Sequence, residues 1–161
     1  MTSEKGWERV ARIEESTVAN ENDEKKDYLR GYRRHSRRIK RIEAELEEIR
    51  SMKQSPSMNN DGMPHGSGQK DLSGYVAQLD GLEEKLYKEG VEQVKTYKDI
   101  SWRINQLSEE VERDVLFYRY IKDMEFWEIA QQMGYSLRQI HRIHGAGLAH
   151  MKLPKDGTPC H

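Results

Sequence analysis

The stretch EIAQQMGYSLRQIHRI, residues 128–143, decides the fold of the C-terminal part of the chain. Its apolar residues recur at helical spacing, but Gly134 lies in the middle, and glycine tolerates the positive φ that a tight turn needs. Ala130 is small enough to let two helices touch, and Ser136 can cap a new helix. The stretch therefore predicts two short helices joined at Gly134 rather than one continuous helix.

The apolar residues of this stretch predict which sides of the two helices face inward. The inward positions are Ile129, Met133, Tyr135, Ile140 and Ile143. At 100° per residue, Gly147 falls on the same side of the second helix as Ile140 and Ile143. An ordinary corner between two helices remains the alternative interpretation of this pattern.

The opposite side of the second helix carries cations and no acidic residue, whereas the helices before it carry the acids. Arginine pairs bidentately with guanine and glutamine with adenine, so Arg138, Gln139 and Arg142 are candidate base-reading residues. Leu137 either touches a thymine methyl group or packs on a neighbour. We predict a DNA-binding face formed by Ser136, Leu137, Arg138, Gln139, His141, Arg142 and Gly145.

The rest of the chain is predicted to be helical, because alternating β-branched runs and hairpin signals are missing. Apolar residues spaced by four and three form heptad seams in two long helices, residues 22–53 and 71–106. In the first helix the seam is Tyr28, Tyr32, His35, Ile39, Ile42, Leu46 and Ile49. In the second, an apolar stripe continues through Val91, Val94, Tyr97, Ile100 and Ile104 after a slip near Gly90.

The expected fold class is all-α, with long heptad helices followed by a three-helix unit. The predicted domains are a polar tail at 1–21, a heptad region at 22–106 with a flexible loop at 54–70, a helix-turn-helix domain at 107–153, and a tail at 154–161. Two heptad helices joined by such a loop can fold into an antiparallel hairpin or form a coiled coil with a second chain. A homodimer is therefore a possible partner arrangement.

A second basic segment, KKDYLRGYRRHSRRIKR at residues 25–41, lies in the first heptad helix. The acidic residues that follow it in this helix begin at Glu43. Cations near a helix N-terminus oppose the helix dipole, so the isolated helix gains nothing from them. A solvated face and a phosphate-binding stripe are equally good interpretations. The candidate secondary phosphate contacts are Arg30, Arg33, Arg34, Arg37, Arg38, Lys40 and Arg41.

Several function classes are disfavoured by composition. Of the 161 residues, 35% are hydrophobic and 34% are charged, and the net charge is −1. No apolar run is long enough for a membrane span or a signal peptide, and the single Cys160 has no disulfide partner. His141, His144 and His150 lack a zinc-type spacing, and no catalytic arrangement stands out. We expect no metal, no cofactor and no enzymatic activity, in a cytoplasmic protein.

The C-terminal segment resembles region 4 of sigma-70-type factors. The matching pieces are Glu112-Arg113, Val115-Leu116, Tyr118-Arg119-Tyr120, Met124, Glu128-Ile129-Ala130, Gly134-Tyr135-Ser136 and Ile140. The resemblance covers about 47 residues and implies that residues 136–145 form the promoter-reading helix. No counterpart of sigma region 2 precedes this segment. The resemblance therefore implies promoter binding rather than a complete sigma factor.

The layout of residues 25–153 is similar to late-gene transcriptional activators of the RinA/ArpU type in phages and prophages. This resemblance implies a sequence-specific transcriptional regulator in a bacterial host, with double-stranded DNA and host RNA polymerase as expected partners. Two rivals remain open at this point. One is a small-terminase-like DNA-packaging protein, and the other is a helical protein-interaction module that never binds DNA.

Overall fold

The computed structural model describes residues 21–54 and 68–154, and within these ranges it contains helices and no strand. The helices are α1 (residues 21–29), α2 (Gly31–Gln54), α3 (Gly68–Asn105), α4 (Glu110–Tyr120), α5 (Phe126–Met133) and α6 (Leu137–His150). The expected all-α class is confirmed. The predicted tails and most of the predicted loop at 54–70 lie outside the described residues.

The N-terminal helix is not continuous, in contrast to the single helix predicted over residues 22–53. A turn at Arg30 separates α1 from α2, and Gly31 follows it directly. A Cβ atom on Gly31 would lie 3.4 Å from Cγ2 of Thr96, so a larger residue would press on α3. The second long helix also differs, because α3 begins at Gly68, inside the predicted loop.

Backbone contacts divide the chain into two compact units. We call residues Arg34–Lys95 the hairpin unit, and Met1–Arg33 together with Thr96–His161 the core unit. The predicted boundary between a heptad region and a helix-turn-helix domain at residue 106 does not follow this division, since the end of α3 belongs to the core unit. The domain prediction itself stays a prediction.

In the hairpin unit, α2 and α3 pair in antiparallel fashion within one chain. The start of α2 meets the end of the α3 segment, where Nε2 of Gln93 donates to Oγ of Ser36 over 2.7 Å. Further along α2, Nη2 of Arg50 lies 3.0 Å from Oε1 of Glu83. Leu46 and Leu82 are the buried apolar residues described in this unit. The hairpin alternative is therefore the one that the structure shows.

The seam of α3 differs from the apolar stripe that was predicted to follow a slip near Gly90. His35 Nδ1 lies 2.6 Å from Oε1 of Glu89, so α3 continues its inward side through polar residues. Val94, which was predicted to lie in the stripe, is 53% exposed. The predicted slip near Gly90 is wrong, because the spacing of four and three residues continues through Glu89 and Gln93. His35 and Ser36 of α2 form hydrogen bonds with these two polar side chains. Polar residues can therefore occupy seam positions that are usually apolar.

In the core unit, residues from both ends of the described chain share one hydrophobic cluster. Its buried members are Leu29, Ile100, Ile104, Leu107, Leu116, Tyr120, Leu148 and Met151. Lys25 on α1 is also buried, and its ammonium lies 2.8 Å from Glu21 and 3.4 Å from the carbonyl oxygen of Ala149 near the end of α6. A cation at this position suits the negative end of the α6 dipole. The three C-terminal helices thus share their core with α1 and α3.

A polar network ties α1 to α3 at the edge of this cluster. The hydroxyl of Tyr28 donates to Asp99, and Nε of Arg103 donates to the same hydroxyl over 2.7 Å. Arg103 also lies 3.1 Å from Oδ1 of Asp99. Burial, followed by the Asp99 carboxylate, raises the pKa of Tyr28 well above its ordinary value. The phenol therefore stays protonated and can serve as a donor at neutral pH.

Among the described helices, none has a stretch that is both long enough and apolar enough to cross a bilayer.

Candidate nucleic-acid interface

The turn between α5 and α6 is fixed by Gly134. Its φ is 72° and its ψ is 27°, in the left-handed region that glycine adopts readily. Its backbone N–H and that of Tyr135 both donate to the carbonyl oxygen of Ala130, which closes the end of α5. The predicted tight turn is confirmed. α5 and α6 are therefore two helices joined by a three-residue connection.

Replacing Gly134 by alanine is expected to destabilise the core unit by about 1–2 kcal/mol, the cost of a left-handed conformation in a residue with a Cβ atom. The cost comes from the backbone alone, since a Cβ atom at Gly134 would have nothing within 4 Å. Gly145→Ala is the matched control, because Gly145 lies in α6 and is equally open. That control should stabilise by roughly 0.5–1 kcal/mol. Urea unfolding measures both, and equal effects would contradict the role of the turn.

The first turn of α6 is held by a reciprocal capping box. Oγ of Ser136 accepts from the backbone N–H of Gln139 over 3.3 Å, and Oε1 of Gln139 accepts from the backbone N–H of Ser136 over 2.9 Å. The hydroxyl of Ser136 also donates to Oε1 of Gln139 over 2.7 Å. Adenine recognition needs both amide atoms of a glutamine, so the cap competes with that role. Arg138 and Arg142 therefore remain the candidate base-reading residues.

The outward side of α6 is exposed along its length. The exposed residues are Leu137, Arg138, Gln139, His141, Arg142 and Gly145, and α6 contains no acidic residue. Leu137 is 46% exposed, so it does not pack into the core. The structure thus brings the predicted set together on one accessible surface of one helix. Whether this surface binds DNA stays a prediction.

The inward side of α6 packs on α4 and α5. Ile140 is fully buried with Val115, Ile129 and Ala130. Gly147 is buried where α6 crosses α4, and a Cβ atom there would lie 3.3 Å from Cδ1 of Leu116. The inward prediction is confirmed for these two residues. It is wrong for Tyr135, which is 37% exposed because the turn carries its side chain away from the core.

An aromatic side chain at the start of α5 and a cation near the end of α4 lie beneath α6. The ring centroids of Phe126 and His141 are 4.4 Å apart, and the guanidinium of Arg119 lies 4.7 Å from the Phe126 ring. Arg119 also donates to the carbonyl oxygen of Met124 over 2.8 Å and pairs with Glu125. These contacts orient the α6 face, and Phe126 was not among the predicted site residues. The only sequence signal for it is an aromatic residue near the start of α5.

His144 is a buried histidine on the inward side of α6. Its Nε2 lies 3.0 Å from the hydroxyl of Tyr120, the two rings stack with centroids 5.7 Å apart, and Phe126 lies edge-on at 5.0 Å. Burial, and then the nearby cations Lys26 and Arg119, lower the pKa of His144 from 6.5 to about 4. The neutral imidazole is therefore the form that fits this core.

We expect the free energy of unfolding to decrease as the pH is lowered, because of His144. The unfolded chain takes up a proton below pH 6.5, whereas the folded chain resists it until about pH 4. The contribution is thus complete above pH 6.5 and is lost as the pH falls from 6.5 to 4, to the extent of about 3 kcal/mol. Unfolding by urea at pH 7 and pH 5 should show roughly 2 kcal/mol of this loss. His144→Gln should remove that difference, and an unchanged pH dependence in the variant would assign it to other groups.

The predicted basic residues of the N-terminal stripe do not behave as one set. Arg33 is half-buried and forms an ion pair with Asp123 in the turn after α4. Arg30 is exposed but lies in the turn between α1 and α2. Both residues belong to the core unit, although Arg33 lies on α2 with the other basic residues, and their contact with phosphate stays a prediction.

The remaining basic residues lie on α2 in the hairpin unit. Arg34, Arg37, Arg38 and Arg41 line a shallow depression of about 200 Å³. Arg38 lies 3.2 Å from Glu89, and Arg41 lies 3.9 Å from Glu45. Arg37 and Lys40 are exposed. This part of the predicted set forms a basic surface that is partly neutralised by acids.

Within residues 21–54 and 68–154, no group of three or more histidine, cysteine or acidic side chains is placed to hold a metal ion. His150 instead pairs with the buried Glu112 over 2.8 Å. Cys160 and His161 lie outside the described residues.

The comparisons with known proteins give one family. Residues 52–150 match the family described as "Protein of unknown function (DUF1492)". Neither the curated proteins nor the solved structures give a match. The family match begins near the end of α2 and ends at the last residue of α6, so it contains α3 and the whole capped helix pair. Because it spans more than half of the 161 residues, the chain belongs to the DUF1492 family.

Proposed function

We propose that the chain is a sequence-specific DNA-binding regulator of transcription that places α6 in the major groove. The observation that carries the proposal is the two-sided character of α6. One side is buried against α4 and α5, and the other exposes two arginines, a histidine and a glycine without any acid. A packed core helix would not leave this set in solvent, and a merely solvated helix would ordinarily include acids.

The dimensions of α6 suit a groove. It has 14 residues, which at 1.5 Å per residue gives a length of about 20 Å, and the major groove is about 12 Å wide. The N-terminal residues of a recognition helix contact base edges in known helix-turn-helix proteins. In α6 these residues are Leu137, Arg138 and Arg142, and Gly145 adds a place without a side chain. Arg138 and Arg142 are proposed to read bases, and the N-terminus of α6 is proposed to face a phosphate.

The finer part of the proposal concerns context. The resemblance to sigma region 4 and to RinA/ArpU-type activators supports action at a phage or prophage late-gene promoter together with host RNA polymerase. The capped α5–α6 pair is compatible with this resemblance, because its matching residues Ala130, Gly134 and Ser136 lie at the turn. The backbone N–H of Gly134 donates to the carbonyl oxygen of Ala130, and Ser136 caps α6.

Selection of bound duplexes from a random pool by the full-length chain tests the proposal. We expect one enriched motif of a few base pairs, and competition by unrelated duplex should be weak at physiological salt. Binding without an enriched motif, in rings of many subunits, would favour a DNA-packaging protein. Absence of any retained duplex would favour a protein-interaction module. Either of these outcomes would overturn the proposal.

The basic surface of α2 is proposed to add phosphate contacts without sequence preference. Replacing Arg37, Lys40 and Arg41 by glutamine should weaken binding to all duplexes alike. If each residue neutralises one phosphate, the log–log salt slope should flatten by up to about 2.7, at about 0.9 per contact. Filter binding at several salt concentrations measures this slope. Arg50→Gln, an exposed arginine further along α2, is the control that should leave it unchanged.

A further inference from the structure

The hairpin unit carries an exposed apolar stripe on α3. Tyr87 is 74% exposed and Val94 is 53% exposed, and the partly buried Val91 lies between them in sequence. The spacings of four and three residues place the three side chains on one side of the helix. Gly90 lies beside them with nothing within 4 Å of a Cβ position. The stripe is thus apolar, with an exposed side chain at each end and a partly buried centre.

This stripe is not the seam that pairs with α2. The seam runs through Leu82, Glu89 and Gln93, which contact or face residues of α2. Tyr87 and Val94 are each one residue beyond a seam position in the heptad, so they point about 100° away from it. Within the part of the chain that the structure describes, α2 therefore leaves this second stripe uncovered. Contiguous exposed apolar side chains are typical of interaction surfaces.

We infer that this stripe binds the same stripe of a second copy of the chain. Spacings of four and three are those of a coiled-coil seam, so the partner is a helix with the same period. The second copy supplies Tyr87, Val91 and Val94 opposite their own counterparts. The inference does not rest on DNA binding and stands or falls independently of the proposed function.

The charges that flank the stripe favour a second copy over a strongly charged partner. They are of both signs: Glu83, Glu84, Lys88, Glu92 and Lys95. A nucleic acid would be repelled by the acids among them. If Tyr87 and Val94 are taken as d positions, Glu83 is a g position and Lys88 the following e position, which pair across a parallel coiled coil. An antiparallel arrangement would instead bring lysines of the two copies together, so we assign the parallel one.

The intrachain ion pairs at these positions do not prevent such pairing. Lys88 lies 2.6 Å from Glu84, and Glu83 lies 3.0 Å from Arg50, but all four side chains are about half exposed or more. Exposed pairs of this kind contribute little and exchange readily. The apolar stretch ends at Glu84, so the contact is short and the dimer is of modest affinity.

Sedimentation equilibrium of the full-length chain tests the inference. We expect a concentration-dependent mass that rises from 19.0 kDa towards twice that value. Replacing Tyr87 and Val94 together by glutamate should weaken the dimer roughly tenfold or more. Met52→Glu is the control, because Met52 is 64% exposed on α2, outside the stripe. Circular dichroism should show the same helix content in both variants.

Cysteine crosslinking locates the contact. In a Cys160→Ser chain, Val94→Cys should form a disulfide-linked dimer on mild oxidation, because parallel pairing brings the two copies of this residue together. Lys85→Cys, at an exposed position on a different side of α3, should crosslink far less. A monomer at all concentrations, a dimer insensitive to the glutamate pair, or equal crosslinking at both positions would overturn the inference.

Discussion

Arg138→Ala combined with Arg142→Ala is expected to abolish sequence-specific DNA binding while leaving the fold intact. Each bidentate contact to a guanine contributes about 1–3 kcal/mol of discrimination, so the double variant should lose most of the preference for the selected motif. Both side chains are exposed, and α6 keeps its cap and its buried side without them. Titration of the selected duplex and of a scrambled duplex by fluorescence anisotropy gives the two affinities.

The control for this prediction is an arginine removed elsewhere. Arg50→Ala also deletes one exposed guanidinium, but from the hairpin unit. It should leave the ratio of specific to non-specific affinity unchanged. Wild-type affinity of the Arg138/Arg142 double variant for the selected duplex would exclude α6 as the reading helix. An equal loss of affinity for both duplexes would indicate that the two arginines contact phosphates rather than bases.

Ile140→Ala is expected to destabilise the core unit by about 2–5 kcal/mol, the range for removing a large apolar side chain from a packed core. Ile140 is fully buried between α4 and α5, so the cavity would lie directly beneath the proposed DNA-binding face. Single domains have stabilities of only about 5–15 kcal/mol, so the change is a large share of the total. Urea unfolding followed by circular dichroism measures it.

Leu137 provides the matched control on the same helix. Leu137→Ala removes a side chain of the same size from a position that is 46% exposed. Its effect on stability should stay within about 0.5 kcal/mol, as for surface substitutions in general. If both variants lose the same free energy of unfolding, the assignment of the inward and outward sides of α6 is incorrect. Leu137→Ala should also report on the proposed thymine contact through DNA affinity alone.

The elements that could be predicted from the sequence are those set by local chemistry. A left-handed φ at Gly134 and a cap at Ser136 follow from residue type and position, because only the neighbouring backbone is involved. The inward side of α6 follows from helical period and from the identity of Ile140. The Ser136–Gln139 capping box was also readable, since a serine followed three residues later by glutamine is its signature. The prediction of a base contact for Gln139 overlooks this box.

What could not be predicted depends on partners far away in the chain. Val94 is apolar, yet its side of α3 is decided by the polar contacts of Glu89 and Gln93 with α2. Nothing in the sequence around Arg33 indicates an ion pair with Asp123, 90 residues later. The lowered pKa of His144 comes from the burial that helix packing creates and then from the nearby cations Lys26 and Arg119. Such contacts emerge only when the elements pack.

The shared cluster of Leu29 with Leu148 and Met151 has a consequence for the order of events during protein synthesis. The hairpin unit is a contiguous insertion, so its two helices can pair as soon as residues 34–95 have left the ribosome. The core unit must wait, because Met151, the last buried residue within residues 68–154, is synthesised 122 residues after Leu29. Contacts of such long sequence separation form slowly. Until then the cluster around Leu29 lacks Leu148 and Met151, and synthesis from the N-terminus completes the proposed recognition surface last.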